Sequence, residues 1–180
     1  MNDPAERYAA PTVLLHWLMA ALIVATFWLG LTVADMPLSP TKFKWIAWHK
    51  WLGVTLLGLL ALRLLSRALT RAPALPATMG AHARTMARLG HLGLYALMLA
   101  VPLSGWLMSS AYGFPVVYLQ LFALPDLVAK NEALGDALGD AHTALNWTLA
   151  ALVAGHVLAA LKHQFVDRDG LMARMRLRRR

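Results

Sequence analysis

Seven histidines stand in a chain of 180 residues that contains no cysteine. Two of them, His142 and His156, lie fourteen residues apart within the uncharged stretch 141–161. At 100° per residue, fourteen steps return to within about 40° of the starting direction and rise about 21 Å along a helix. One apolar helix thus points two imidazoles the same way, one near each edge of a bilayer's hydrocarbon layer. An imidazole is costly in lipid unless it faces the protein interior and finds a partner there. Two stacked histidines on one buried face are the arrangement that two b-type haems, one above the other, require. The missing cysteines exclude thiolate-held iron–sulfur clusters, covalent haem attachment, disulfides and thiol catalysis.

The elements that must position these rings follow from composition. The chain is 59% hydrophobic and 14% charged, too apolar for an ordinary soluble domain. Four stretches reach the span of about 20 residues that a membrane-crossing helix needs. Residues 8–34, 89–110 and 141–161 carry no Asp, Glu, Lys or Arg, and residues 45–66 carry only Lys50 and Arg63, near their ends, where long cations snorkel. A soluble bundle would show a polar face on each helix, and these show almost none. The expected fold is all-α: an integral membrane four-helix bundle forming one domain over 1–180, with helices at about 12–32, 45–68, 85–110 and 138–165. Residues 166–180 read as a basic tail. The first apolar segment is too long for a leader, and no small-x-small site follows it, so it reads as a retained helix. The segment 36–44, with Pro37 and Pro40, reads as loop. Residues 112–129, punctuated by Pro115 and Pro125, read as an interfacial stretch or a cap on the bundle.

Basic residues set the orientation. One side collects Arg7, Arg63, Arg67, Arg71, Arg84, Arg88, Lys162, Arg168, Arg174, Arg176, Arg178, Arg179 and Arg180. The other has Lys42, Lys44, Lys50 and Lys130, offset by Asp35, Asp126, Glu132, Asp136 and Asp140. Both termini are therefore expected on the cytoplasmic side of the membrane. The net charge of +8 is then a topology signal and an anionic-lipid contact rather than a nucleic-acid footprint.

Depth sorts the histidines into two layers. His49 and His142 belong to the outer layer. His16, His156 and His91 belong to the inner one, with His163 deeper in the headgroup zone and His82 in the exposed linker. A pair in each layer is the arithmetic of two bis-histidine haems, with His16 and His91 competing for the inner one. A lone membrane histidine more often makes an interhelical hydrogen bond, but matched depths and a shared face weigh against that reading. The nine methionines read as packing. Gly53, Gly105 and Gly155 would leave room beside the histidines, as small residues also do in plain helix packing.

The motifs Leu15-His16-Trp17, Trp48-His49-Lys50-Trp51-Leu52-Gly53, Arg63-Leu-Leu-Ser-Arg67, Gly90-His91-Leu-Gly-Leu-Tyr95 and Pro102-Leu-Ser-Gly105, followed by Ala141-His142 and Gly155-His156, resemble the bacterial cytochrome b561 family. The resemblance runs from about residue 8 to residue 167 and is closest to the short, stand-alone members, which include superoxide oxidase. It departs at Trp51, where the family usually has a small residue. The resemblance implies two haem b groups: an inner one held by His16 and His156, and an outer one held by His49 and His142. It also implies ubiquinone as substrate and superoxide as one donor.

The expected function is electron transfer from the periplasmic side, through the outer and inner haems, to a quinone near the inner interface. Superoxide:ubiquinone oxidoreductase is the candidate activity. Lys42, Lys44 and Lys50 form a candidate patch for attracting the superoxide anion. His91, His163 and Trp17 have the depth for quinone contact, and Arg67, Arg84 and Arg88 are alternative propionate partners. The rival readings are a haem-binding subunit fed by a periplasmic oxidoreductase, and a non-redox membrane protein using histidines for a divalent metal or a proton path.

Overall fold

The structure, a computed structural model, describes residues 7–70, 72–74 and 79–177. Arg71, Arg178, Arg179 and Arg180, which contribute to the expected orientation, lie outside these residues. Four helices dominate: α1 (Ala10–Asp35), α2 (Pro40–Leu69), α3 (Ala81–Ala111) and α4 (Glu132–Lys162). Each is long and apolar enough to cross a membrane. Few side chains are buried, Val13, Met19, Leu60 and Leu149 among them, while Val24, Trp28, Leu62, Leu92 and Leu158 point outward. That inversion suits lipid, whose tails are as apolar as leucine and accept such a surface.

The helix boundaries follow from capping chemistry. α2 begins at Pro40, ahead of the expected start at residue 45. The Ser39 side chain accepts a hydrogen bond from the Lys42 backbone N–H at 3.2 Å, and Pro40 occupies the first helical position, where its missing N–H costs nothing. The proline that reads as a breaker is thus a starter. α4 likewise begins earlier than residue 138, because Asn131 caps it by accepting from the Leu134 N–H at 3.0 Å. At its far end α4 runs into a π-helical turn, His163–Asp167, and a short 3-10 helix, Leu171–Met175. Arg168 and Gly170, at φ 51° and 77°, reverse the chain between them. The expected tail therefore begins as a folded strap. Trp17 Nε1 donates to the Met175 carbonyl at 2.9 Å, and the Tyr8 N–H donates to the Arg174 carbonyl at 3.3 Å.

α1 packs along α2 and α3 along α4, while α2 touches α3. Near the end that carries both termini, the Thr12 and Ser66 hydroxyls bond at 2.8 Å and tie α1 to α2. The opposite end is covered by residues 112–131. Within this cap, β1 (Val117–Tyr118) pairs antiparallel with β2 (Phe122–Ala123). The hairpin is fastened to α2 by Trp51 Nε1 donating to the Val117 carbonyl at 2.6 Å and by a 3.0 Å bond between the Thr55 and Tyr118 hydroxyls. Trp106 Nε1 donates to the Pro125 carbonyl at 3.1 Å, and the Leu127 N–H donates to Ser110 Oγ at 3.2 Å. These bonds fasten the cap to α3.

Candidate metal centres

The bundle brings the histidines together in two layers. Towards the capped end, the rings of His49 on α2 and His142 on α4 have centroids 6.2 Å apart. Towards the termini, His16 on α1 and His156 on α4 are also 6.2 Å apart. A histidine nitrogen binds a transition metal at about 2 Å, and the ring centroid lies about 1 Å further out, so two imidazoles facing one metal ion have centroids about 6 Å apart. Both pairs have that spacing. His91 on α3 also reaches His156, but at 5.4 Å, too close for one metal ion held by the two rings from opposite sides.

Two further observations fit a bulky metal cofactor. The first is the room made for the rings. A Cβ on Gly30 would lie 3.0 Å from His49 Cε1, and a Cβ on Gly105 would lie 3.0 Å from His142 Cε1. Glycine on the neighbouring helix thus makes the seat of each ring. Gly53 meets only Pro102, at 3.8 Å, and Gly155 meets nothing within 4 Å. The second is the state of the ring nitrogens. His142 Nδ1 lies 3.0 Å from the Val101 carbonyl and 2.9 Å from Ser104 Oγ. Since Ser104 already donates to that same carbonyl at 2.7 Å, Nδ1 carries the proton and Nε2 is left as a bare lone pair, the form a metal needs. His49 Nδ1 is buried without a hydrogen bond of good geometry; the Thr26 carbonyl of α1 is the acceptor it faces. Between the two layers lies an apolar cavity lined by Met19, Phe27, Leu56, Met98, Leu149 and Val153. The residues present therefore fit a bulky, apolar, metal-bearing group at the outer level, and at the inner level the 6.2 Å spacing of His16 and His156 fits a metal between them.

The other candidates are distributed as follows. The three outer lysines are each engaged locally. Lys42 donates to the Met36 carbonyl at 2.8 Å, Lys50 donates to the Phe114 carbonyl at 3.1 Å, and Lys44 lies 5.2 Å over the Trp48 ring. Trp17 stands edge-on to His16 at 5.1 Å. His163 Nδ1 sits 2.6 Å from Asp169 and 3.2 Å from Asp167, and Lys162 closes on Asp167 at 2.6 Å. Arg84 is half-buried, whereas Arg67, Arg88 and His82 are exposed. Two residues not singled out from the sequence enter the inner site. Arg63, expected to snorkel, turns inward instead, with Nη2 3.1 Å from His16 Nδ1, and its Nε donates to the Tyr95 hydroxyl at 3.1 Å. A signal for Arg63 was present: it lies fourteen residues from His49, the same spacing that joins His142 to His156.

Residues 7–177 match the model of the prokaryotic cytochrome b561 family. The chain belongs to that family. Cytochrome b561 homolog 2 of Escherichia coli (strain K12) is 34% identical over 175 residues, covering 97% of this chain and 93% of the relative. A protein named probable superoxide oxidase CybB, from Yersinia pestis, is 24% identical over 179 residues, covering 97% and 98%. Membership in the b561 family implies haem b as the cofactor and membrane electron transfer as the work. Together with the four spans, it makes this cytochrome a multi-pass protein of the bacterial inner membrane.

Proposed function

We propose that this cytochrome carries two haem b groups, held by His49 with His142 and by His16 with His156, and passes electrons across the membrane to a quinone. The observation that carries the reading is the repeated 6.2 Å spacing of the two histidine pairs, about 21 Å apart along α4. Bound there, the haems would supply the one-electron chemistry. The chain's own part is ligation, distance and dryness. Val101 and Ser104 hold His142 in the metal-ready tautomer, Gly30 and Gly105 seat the rings, and the apolar cavity keeps water from the path between the layers. Two imidazoles per metal leave no position open for oxygen, so a donor must react at the edge of the group.

In this reading the termini, with His16 and His156, face the cytoplasm, which the unequal distribution of basic residues supports. The quinone is ubiquinone in this reading, met near the inner layer where Trp17 and His163 lie, and the donor approaches from the periplasm. Superoxide is the donor we favour, because the Yersinia pestis relative is named for that activity and because Lys42, Lys44 and Lys50 lie together in the first turns of α2. In this reading the protein is a superoxide:ubiquinone oxidoreductase.

The test is spectroscopic first. Dithionite-reduced protein shows a b-type alpha band with two haems per chain; His49→Ala or His142→Ala leaves one, and His91→Ala leaves both. No alpha band overturns the proposal, and one haem in the unaltered protein overturns its di-haem form. Ubiquinone reduction driven by superoxide, weakened when the three lysines are changed to glutamate, tests the donor. Electron delivery only from a co-purifying periplasmic protein would favour the subunit reading instead.

A further inference from the structure

Arg63 is a full charge at membrane depth. It lies fourteen residues beyond His49 on α2, which puts it at the inner layer rather than at the helix end. Such a cation is costly unless an anion or several acceptors meet it. Among the described residues no carboxylate forms a salt bridge with it. Its partners are the Tyr95 hydroxyl, whose ring also stacks 5.9 Å from the guanidinium, and His16 Nδ1.

The second contact limits what Arg63 can do. A guanidinium only donates, so His16 Nδ1 must accept, and the proton of a neutral ring then sits on Nε2. A histidine that ligates through Nε2 carries its proton on Nδ1 instead, where it cannot accept. Ligation of His16 and its present bond to Arg63 therefore exclude one another. Once His16 is a ligand, Arg63 must find another acceptor while Tyr95 still tethers its Nε. An anion that arrives with the ligand state meets that need, and haem b carries two carboxylates.

We infer that Arg63, tethered by Tyr95, is the residue that pairs with a carboxylate of the inner haem. The inference rests on the reading that His16 and His156 hold that haem. Arginine suits the role because its planar fork matches a carboxylate in two parallel hydrogen bonds. With the guanidinium removed, the carboxylate stands uncompensated and disfavours the reduced, more negative centre.

A redox titration of the purified full-length protein in detergent, followed optically, tests this. Haem content per chain is measured alongside, and the inner haem is assigned from the His49→Ala protein, which retains it alone. The expected result for Arg63→Gln is two haems per chain, an inner-haem potential shifted downward and an outer-haem potential unmoved. Arg63→Lys recovers part of the shift, and Tyr95→Phe, which removes only the tether, gives a smaller shift in the same direction. Should Arg63→Gln lose the inner haem, Arg63→Lys and Tyr95→Phe decide the matter: inner potentials unmoved in both overturn the inference. An unmoved inner potential in a two-haem Arg63→Gln protein, or an equal fall of both potentials, overturns it too. Fewer than two haems in the unaltered protein removes the di-haem reading and this inference together, so the two failures are distinguishable.

Discussion

At the scale of single residues, the sites are made as much by absent side chains as by present ones. Gly105→Val would drive a branched side chain into the place of the His142 ring, which already lies 3.0 Å from a modest Cβ. The expected outcome is loss of one haem per chain by pyridine haemochrome assay, with the other retained, and Gly30→Val should do the same through His49. Gly58, which has nothing within 4 Å of an added Cβ, is the contrasting case. Gly58→Ala should keep both haems and stabilise α2 by about 0.5–1 kcal/mol, because glycine costs that much inside a helix. The histidines were legible in the sequence because imidazoles are conspicuous in an apolar run. Gly30 and Arg63 were not, since glycine is common in membrane helices and a cation near a helix end has a ready explanation in snorkelling. The spacing was the missed clue: His16 to Gly30, His49 to Arg63, and His91 to Gly105 are each fourteen residues, as is His142 to His156.

At the scale of elements, capping decides more than the prolines do. Ser39→Ala removes the side chain that accepts from the Lys42 N–H and should cost about 1 kcal/mol, read as a lower denaturation midpoint in detergent with the haem spectrum unchanged. The four spans were legible because length and hydropathy alone mark a membrane helix. The start of α2 was not, because Pro40 reads as a stop unless Ser39 is taken with it as a start. The hairpin in the outer cap was less legible still. Its turn places Leu119 and Gln120 at φ 48° and 61°, where Asn-Gly is the usual signal. The bonds from Trp51 and Thr55 of α2 hold this unfavourable turn in place. Trp51→Phe keeps the ring but loses the bond to the Val117 carbonyl. It should weaken the cap by about 1 kcal/mol, seen as faster proteolysis within residues 117–123 while α2 stays intact. Trp51, the visible departure from the family pattern, thus has a structural task of its own.

At the scale of the whole molecule, the bundle is two close pairs of helices, α1 with α2 and α3 with α4, flanking an apolar cavity. A cofactor that binds this folded form and not the unfolded chain stabilises it by mass action. Haem-depleted protein should therefore melt well below the haem-loaded form, and equal melting temperatures would count against the histidine pairs as the sites. The expected orientation predicts that fluorescent-protein fusions at either terminus light up in the cytoplasm, while alkaline phosphatase fused there stays inactive.

The fourteen-residue interval between His142 and His156 has one more consequence. In the proposed di-haem reading both ligands sit on a single α-helix, so the gap between the two centres would be set by the helix's own rise and not by how neighbouring helices settle. Lipid bilayers thin and thicken, and bundles tilt to follow them, but α4 works as a ruler whose two marks cannot drift. The length of the proposed electron jump would then be set by the hydrogen-bonded rise of one helix.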